Sequence, residues 1–234
     1  MLLAEFEVFQ SRPIAPTRRV ALGRHDLPVS PAPGFGGLLL GGVVAGFVGR
    51  VDPELHPDLE RLTHQLEQGM RIPQPRLRHR FQTDHVGLNR RLHRLLGDGE
   101  QVRFDLAELG DTIAAPQVLA ALYAAGQLPP GPRATVMYLL RKALRWTGPV
   151  DESLVEYLTG RSGRGAWMLV GVGDPVEWAL AVLGLDATEP RRQNVQRAFR
   201  DRLRQAHPDH GAAAEGAAQR IAELTEARRI LLAS

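Results

Sequence analysis

Residues 191–209 read Arg-Arg-Gln-Asn-Val-Gln-Arg-Ala-Phe-Arg-Asp-Arg-Leu-Arg-Gln-Ala-His-Pro-Asp. Val195, Ala198, Phe199, Leu203 and Ala206 recur at spacings of three and four, which predicts a helix over Arg191 to Ala206 with one apolar face. The rest of that helix carries six arginines against the single Asp201. Pro208 then closes it, because proline pushes the residue before it out of helical backbone and cannot donate to the next turn. Such a stripe needs a partner, since short helices gain most of their stability from packing. Two candidates flank it. A helix over Ala213 to Leu232 carries Ile221, Leu224, Ala227, Ile230 and Leu231 on one face. A shorter one opens at Asp174-Pro175, carries Val176, Leu180 and Leu183, and stops at Gly184. The two longer helices are expected to pack as an antiparallel hairpin with the short one laid across them, and the tip to show His-Pro-Asp to solvent.

These three blocks resemble the J-domain of DnaJ-like co-chaperones. Val182-Leu183-Gly184-Leu185 is similar to the "vLGl" that ends the first J-domain helix. Val195 through Asp209 aligns without gaps to the family's "IkkAYrklalkyHPD", and Ile221 through Leu231 resembles "FkeIneAYevL". The resemblance covers residues 174 to 232, about a quarter of the chain. It implies an all-α J-domain whose core comprises Leu183, Leu185, Val195, Phe199, Leu203, Ile221, Leu224, Ala227 and Leu231. It also implies a partner, the ATPase of a DnaK-type chaperone, met by His207, Pro208 and Asp209 together with Arg197, Arg200 and Arg204. A J-protein does no bond chemistry itself, so neither a catalytic residue nor a cofactor nor a metal is expected.

The residue types suit that task. From Asp174 onward the chain holds nine Arg and nine Asp or Glu, so the positive charge is concentrated on one helix and can steer an acidic partner. Pro208 stiffens the turn, Asp209 can accept a bidentate arginine, and His207 can both donate and accept. Three positions depart from the family. Arg202 stands where a core leucine is usual, and Asp201 replaces a cation. Arg228 stands where tyrosine is common. A second His56-Pro57-Asp58 lacks the basic helix before it and reads instead as a helix start.

Upstream the pattern is mixed, so we expect an α+β domain over residues 1–160, a linker at 161–173, and the J-domain at 174–234. Ala4, Phe6 and Val8 alternate with Glu5 and Glu7, a strand with its glutamates toward water. A short strand near Val20 to Leu22 and a clear one at Val102, Phe104 and Leu106 follow the same rule. Phe35 to Gly49 is apolar and uncharged, but its fifteen residues fall short of the ~20 a membrane span needs. It reads as a buried helix or strand, and no membrane association is expected. Leu55, Leu59, Leu62 and Leu66 mark a helix over Pro53 to Gln68. Helices over Pro116 to Ala125 and Pro132 to Trp146 follow, and a short one begins at Asp151. Gly160-Arg-Ser-Gly-Arg-Gly165 is too rich in glycine to be a helix interior and makes the linker.

Composition narrows the function classes. With no Cys, disulfides, thiolate chemistry and Cys-ligated zinc are excluded. The N-terminal residues show no secretory signal, in keeping with a cytoplasmic location. Of 29 basic side chains all but Lys142 are arginine, which points first to a GC-rich genome and second to a nucleic-acid surface. Arg76, Arg78, Arg80, Arg90, Arg91 and Arg94 would form such a surface, although Phe81 is the only aromatic among them. His79, His85 and His93 lie six and eight apart, unlike a helical zinc pair, and are expected to be solvated or capping. The N-terminal domain is expected to select a client or a location.

Overall fold

A computed structural model describes residues 1–12, 15, 18–30, 32–70, 79–97, 101–107, 114–160, 175–186, 191–206 and 217–233. Five strands form one mixed sheet: β1 (Leu2–Gln10), β2 (Arg18–Asp26), β3 (His79–Phe81), β4 (Asn89–Gly97) and β5 (Val102–Asp105). Their order is β3-β2-β1-β4-β5, with β2 and β3 parallel and the other neighbours antiparallel. Five helices belong to the same core: α1 (Gly34–Val48), α2 (His56–Glu67), α3 (Ala114–Gly126), α4 (Pro130–Ala143) and α5 (Glu152–Thr159). The mixture of strands and helices expected for residues 1–160 is what the chain adopts there.

The helix α1 is the hub. All its residues except Phe35 and Gly46 are buried, as a helix apolar on every side must be. It touches β1 and β4 on one side and α3, α4 and α5 on others. Its glycines make that possible. A Cβ on Gly41 would stand 2.5 Å from Leu139 Cδ2 of α4, and one on Gly42 would collide with the Phe104 ring of β5. The apolar run is thus a buried helix and not a strand. No helix among the described residues is long and apolar enough to cross a membrane.

Ala4, Phe6 and Val8 are buried as the alternation predicts. Glu7 is not toward water, however. It is buried and ion-paired with Arg90, and the Arg24 N–H donates to it at 3.0 Å. Burial works against its charge, but the arginine and the backbone donor outweigh that and hold its pKa below the ordinary carboxylate value. Glu5 pairs likewise with Arg94 at 2.8 Å. Short-range alternation cannot foresee either pair, because both arginines arrive from β4, more than eighty residues along the chain.

The histidines depart further. His79 and His93 are buried, and only His85 is exposed, stacked on Phe9 with ring centroids 4.0 Å apart. His93 has two directional partners. Its Nδ1 accepts from the Ala107 N–H at 3.3 Å, so the proton sits on Nε2, which donates to Gln117 Oε1 at 2.8 Å. Gln117 donates in turn to Gln10. This buried chain ties β4, β1 and α3 and satisfies groups that would cost about 1–3 kcal/mol each if left unpaired. Burial between Phe6 and Phe47 lowers the His93 pKa, so the ring is neutral.

The helix ends follow the local chemistry. Asp151 caps α5 by accepting from the Ser153 N–H at 2.9 Å, and Gly160 closes that helix at φ 69°. Lys142 of α4 donates to the Tyr157 and Leu158 carbonyls at the end of α5 and lies over the Tyr157 ring. The first His-Pro-Asp is the start of α2, with Pro57 in the opening turn and Asp58 paired with Arg61. Residues 161–173, assigned to a linker, lie outside the described residues.

Candidate functional site

Three helices make a second core that shares no residue with the first: α6 (Pro175–Leu183), α7 (Arg192–Ala206) and α8 (Ala217–Ala233). Ala179, Leu180 and Leu183 of α6, Val195 and Ala206 of α7, and Leu224, Ala227 and Leu231 of α8 are its buried members. Leu185, Phe199 and Ile221 are half-buried against them. Leu203, expected in the core, is half-buried and is not among the residues packed against it. Both α6 and α7 pack on α8. Val195 and Ala206 are buried near opposite ends of α7, so the helix is held along its length. The α6 core also takes in Ala179, which the sequence analysis does not name although it falls three after Val176 and four before Leu183.

Packing this face fixes what the other shows. Arg197, Arg200 and Arg204 follow at three and four, share one side of α7, and are all exposed. They are the arginines singled out in the sequence, and the fold brings them together. Arg204 pairs with Asp201 at 2.6 Å, so part of the charge on that face is already matched. Among the described residues Arg197 and Arg200 have no ion-pair partner. His207, Pro208 and Asp209 lie outside the described residues, immediately beyond the last turn of α7.

The other two departures also acquire a physical account. Arg202 is exposed, and its guanidinium lies against Gly184, at φ 68° just past the end of α6. A cation there faces the negative end of the α6 dipole, and any side chain on Gly184 would collide with it. Arg228 of α8 sits over the Phe199 ring of α7 with its guanidinium carbon 4.9 Å from the centroid. The stacked arginine links α8 to α7.

The alternative basic surface is weaker than its sequence suggests. Arg90 and Arg94 are spent on Glu7 and Glu5, and Arg91 is half-buried. Arg80 is exposed, while Arg76 and Arg78 lie outside the described residues. Among the described residues no group of His, Asp and Glu is arranged to hold a metal.

Comparison with protein-family models, with curated proteins and with solved structures finds no match to this chain.

Proposed function

We propose that this protein is a J-domain co-chaperone, stimulating the ATPase of a DnaK-type chaperone through residues 174–234 and bringing it to a client through the N-terminal region. The observation that carries this reading is the basic face of α7. Arg197, Arg200 and Arg204 stand exposed on one side of a helix whose opposite side is packed into a three-helix core, and the chain runs from its last turn straight into His207-Pro208-Asp209. Packing on one side leaves Arg197 and Arg200 free to meet an acidic surface on the other, with Arg204 held by Asp201, and their attraction sets the encounter rate more than the final affinity. Asp209 then supplies a carboxylate for an arginine of the chaperone. The chemistry stays in the chaperone; this chain biases its conformation.

The test is single-turnover ATP hydrolysis by a DnaK-type chaperone with and without the full chain. Stimulation of at least several-fold is expected, with more than tenfold loss of that stimulation in His207→Gln. Unchanged stimulation by His207→Gln defeats the mechanism, and no stimulation at all leaves the three helices as a scaffold.

A further inference from the structure

The sheet carries its charge unevenly. At one end the turn from β1 to β2 brings Arg12, Arg18 and Arg19 together. There the Ser11 N–H donates to the Arg19 carbonyl at 3.0 Å, and the Arg19 N–H donates back to the Ser11 hydroxyl at 2.7 Å. β3 lies parallel to β2 in the register Arg18↔His79, Arg19↔Arg80, Val20↔Phe81. Val20 is in the core and Phe81 packs on Tyr123 of α3, so Arg19 and Arg80 point to the face away from the helices. Neighbouring strands are about 4.8 Å apart, so these two cations leave the sheet side by side, an arrangement that costs stability.

No carboxylate compensates. Arg12, Arg18 and Arg80 are exposed and Arg19 is half-buried beside Gly87. Among the described residues none of the four has an ion-pair partner. Asp84, three residues beyond β3, accepts instead from the Val86 N–H at 3.1 Å and from Gln82, within its own loop. Glu7 is matched by Arg90, and Asp26 stands at the opposite end of β2. Residues 13–17 and 71–78, which lead into β2 and β3, hold no Asp or Glu, so the adjoining sequence adds no negative charge. Four unmatched cations thus lie across three neighbouring strands, a width of about 10 Å.

Like charges held against their own repulsion suit a polyanion. One strand of a duplex carries a phosphate per ~3.4 Å of axis, so this width faces about three of them. Arginine's planar fork takes phosphate oxygens two at a time. Of the rings here, Phe9 is stacked under His85 and Phe81 lies against Tyr123, leaving the exposed His85 for a base to stack on. A single strand draws its affinity from several such rings. A bilayer would meet Val86 as the one exposed large apolar side chain among the described residues of this end. A duplex asks for neither rings nor apolar surface.

We propose that this end of the sheet binds the phosphate backbone of a nucleic-acid duplex, without regard to base sequence. The proposal stands apart from the co-chaperone reading, whose arginines belong to α7.

The probe is a fluorescein-labelled DNA duplex of about 20 base pairs and arbitrary sequence, titrated by anisotropy with the full chain from about 50 to 200 mM salt. Four phosphate contacts correspond to a loss of about a hundredfold in affinity over that range. The double variant Arg19→Gln, Arg80→Gln is expected to bind at least tenfold more weakly at low salt and to lower the logarithmic salt slope by about 2, with a thermal midpoint no lower than the parent's. Lysine at both positions keeps the slope, since charge sets counterion release. The α7 variant Arg197→Gln, Arg200→Gln is expected to hold duplex affinity within about twofold while ATPase stimulation falls, which separates the two readings. No duplex binding at low salt overturns the proposal. So does an unchanged slope in the glutamine variant, or a slope in the lysine variant that falls equally. A larger loss in the α7 variant, or tighter binding of a single strand of the same length, overturns it as well.

Discussion

His93 shows how one buried ring makes a whole fold sensitive to acid. Its folded-state pKa lies below the unfolded value near 6.5, with burial the leading cause. The unfolded chain therefore binds the proton first. Stability attributable to His93 is complete above about pH 6.5 and falls as pH drops from there toward the folded pKa, by at most ~1.4 kcal/mol per unit. Urea midpoints measured from pH 7.5 to 5 are expected to fall, and in His93→Gln to fall less, though from a lower start because Ala107 and Gln117 lose a partner. At the same scale Asp201 restrains Arg204. Asp201→Lys frees that guanidinium and adds a cation, so stimulation of a DnaK-type chaperone is expected to reach half-maximum at several-fold lower protein concentration. The gain shrinks as salt rises toward 0.5 M, since exposed charges are screened. Where residues 191–206 fold was legible in the sequence because a helix declares its faces every three or four positions. His93 was not, because nothing within five residues of it hints that Phe6, Phe47 and Gln117 will close over the ring.

Among elements, α1 was the hardest to read and is the most constrained. An unbroken apolar run has no period, so burial was evident while helix and strand remained equal choices. Its glycines decide the matter only in three dimensions, where Leu139, Leu158 and Phe104 come within contact of positions 41 and 42. Gly42→Ala sets two magnitudes against each other. Alanine gains up to ~1 kcal/mol of helix propensity, whereas forcing a methyl against the Phe104 ring costs about 1–3 kcal/mol. We expect net destabilisation in chemical denaturation, relieved when Phe104→Leu is added. The amphipathic elements α2, α5 and α7 lie where the sequence places them, to within three residues, because caps and stripes are local signals. The gathering of Arg12, Arg18, Arg19 and Arg80 has no such signal: a strand's alternation reveals its faces but not which strand will lie beside it.

At the scale of the molecule, the two hydrophobic clusters share no side chain. Calorimetry on the full chain is expected to show two transitions. Leu122→Ala, at the centre of the larger cluster, is expected to lower one midpoint, and Leu224→Ala the other, each by the equivalent of about 2–5 kcal/mol. A single transition that both variants shift together contradicts this. Independence of this kind suits a protein in which one part meets a chaperone and the other a client, since binding at either need not distort the other.

Lys142 carries a practical corollary. It is the one lysine in the chain, and its ammonium holds the final carbonyls of α5. Dyes, biotin or crosslinkers aimed at amines have only this group and the chain terminus to attack. Acylation there uncouples two helices as surely as a mutation, so a fluorescent handle is better carried on an introduced cysteine, for which the native sequence offers no competitor.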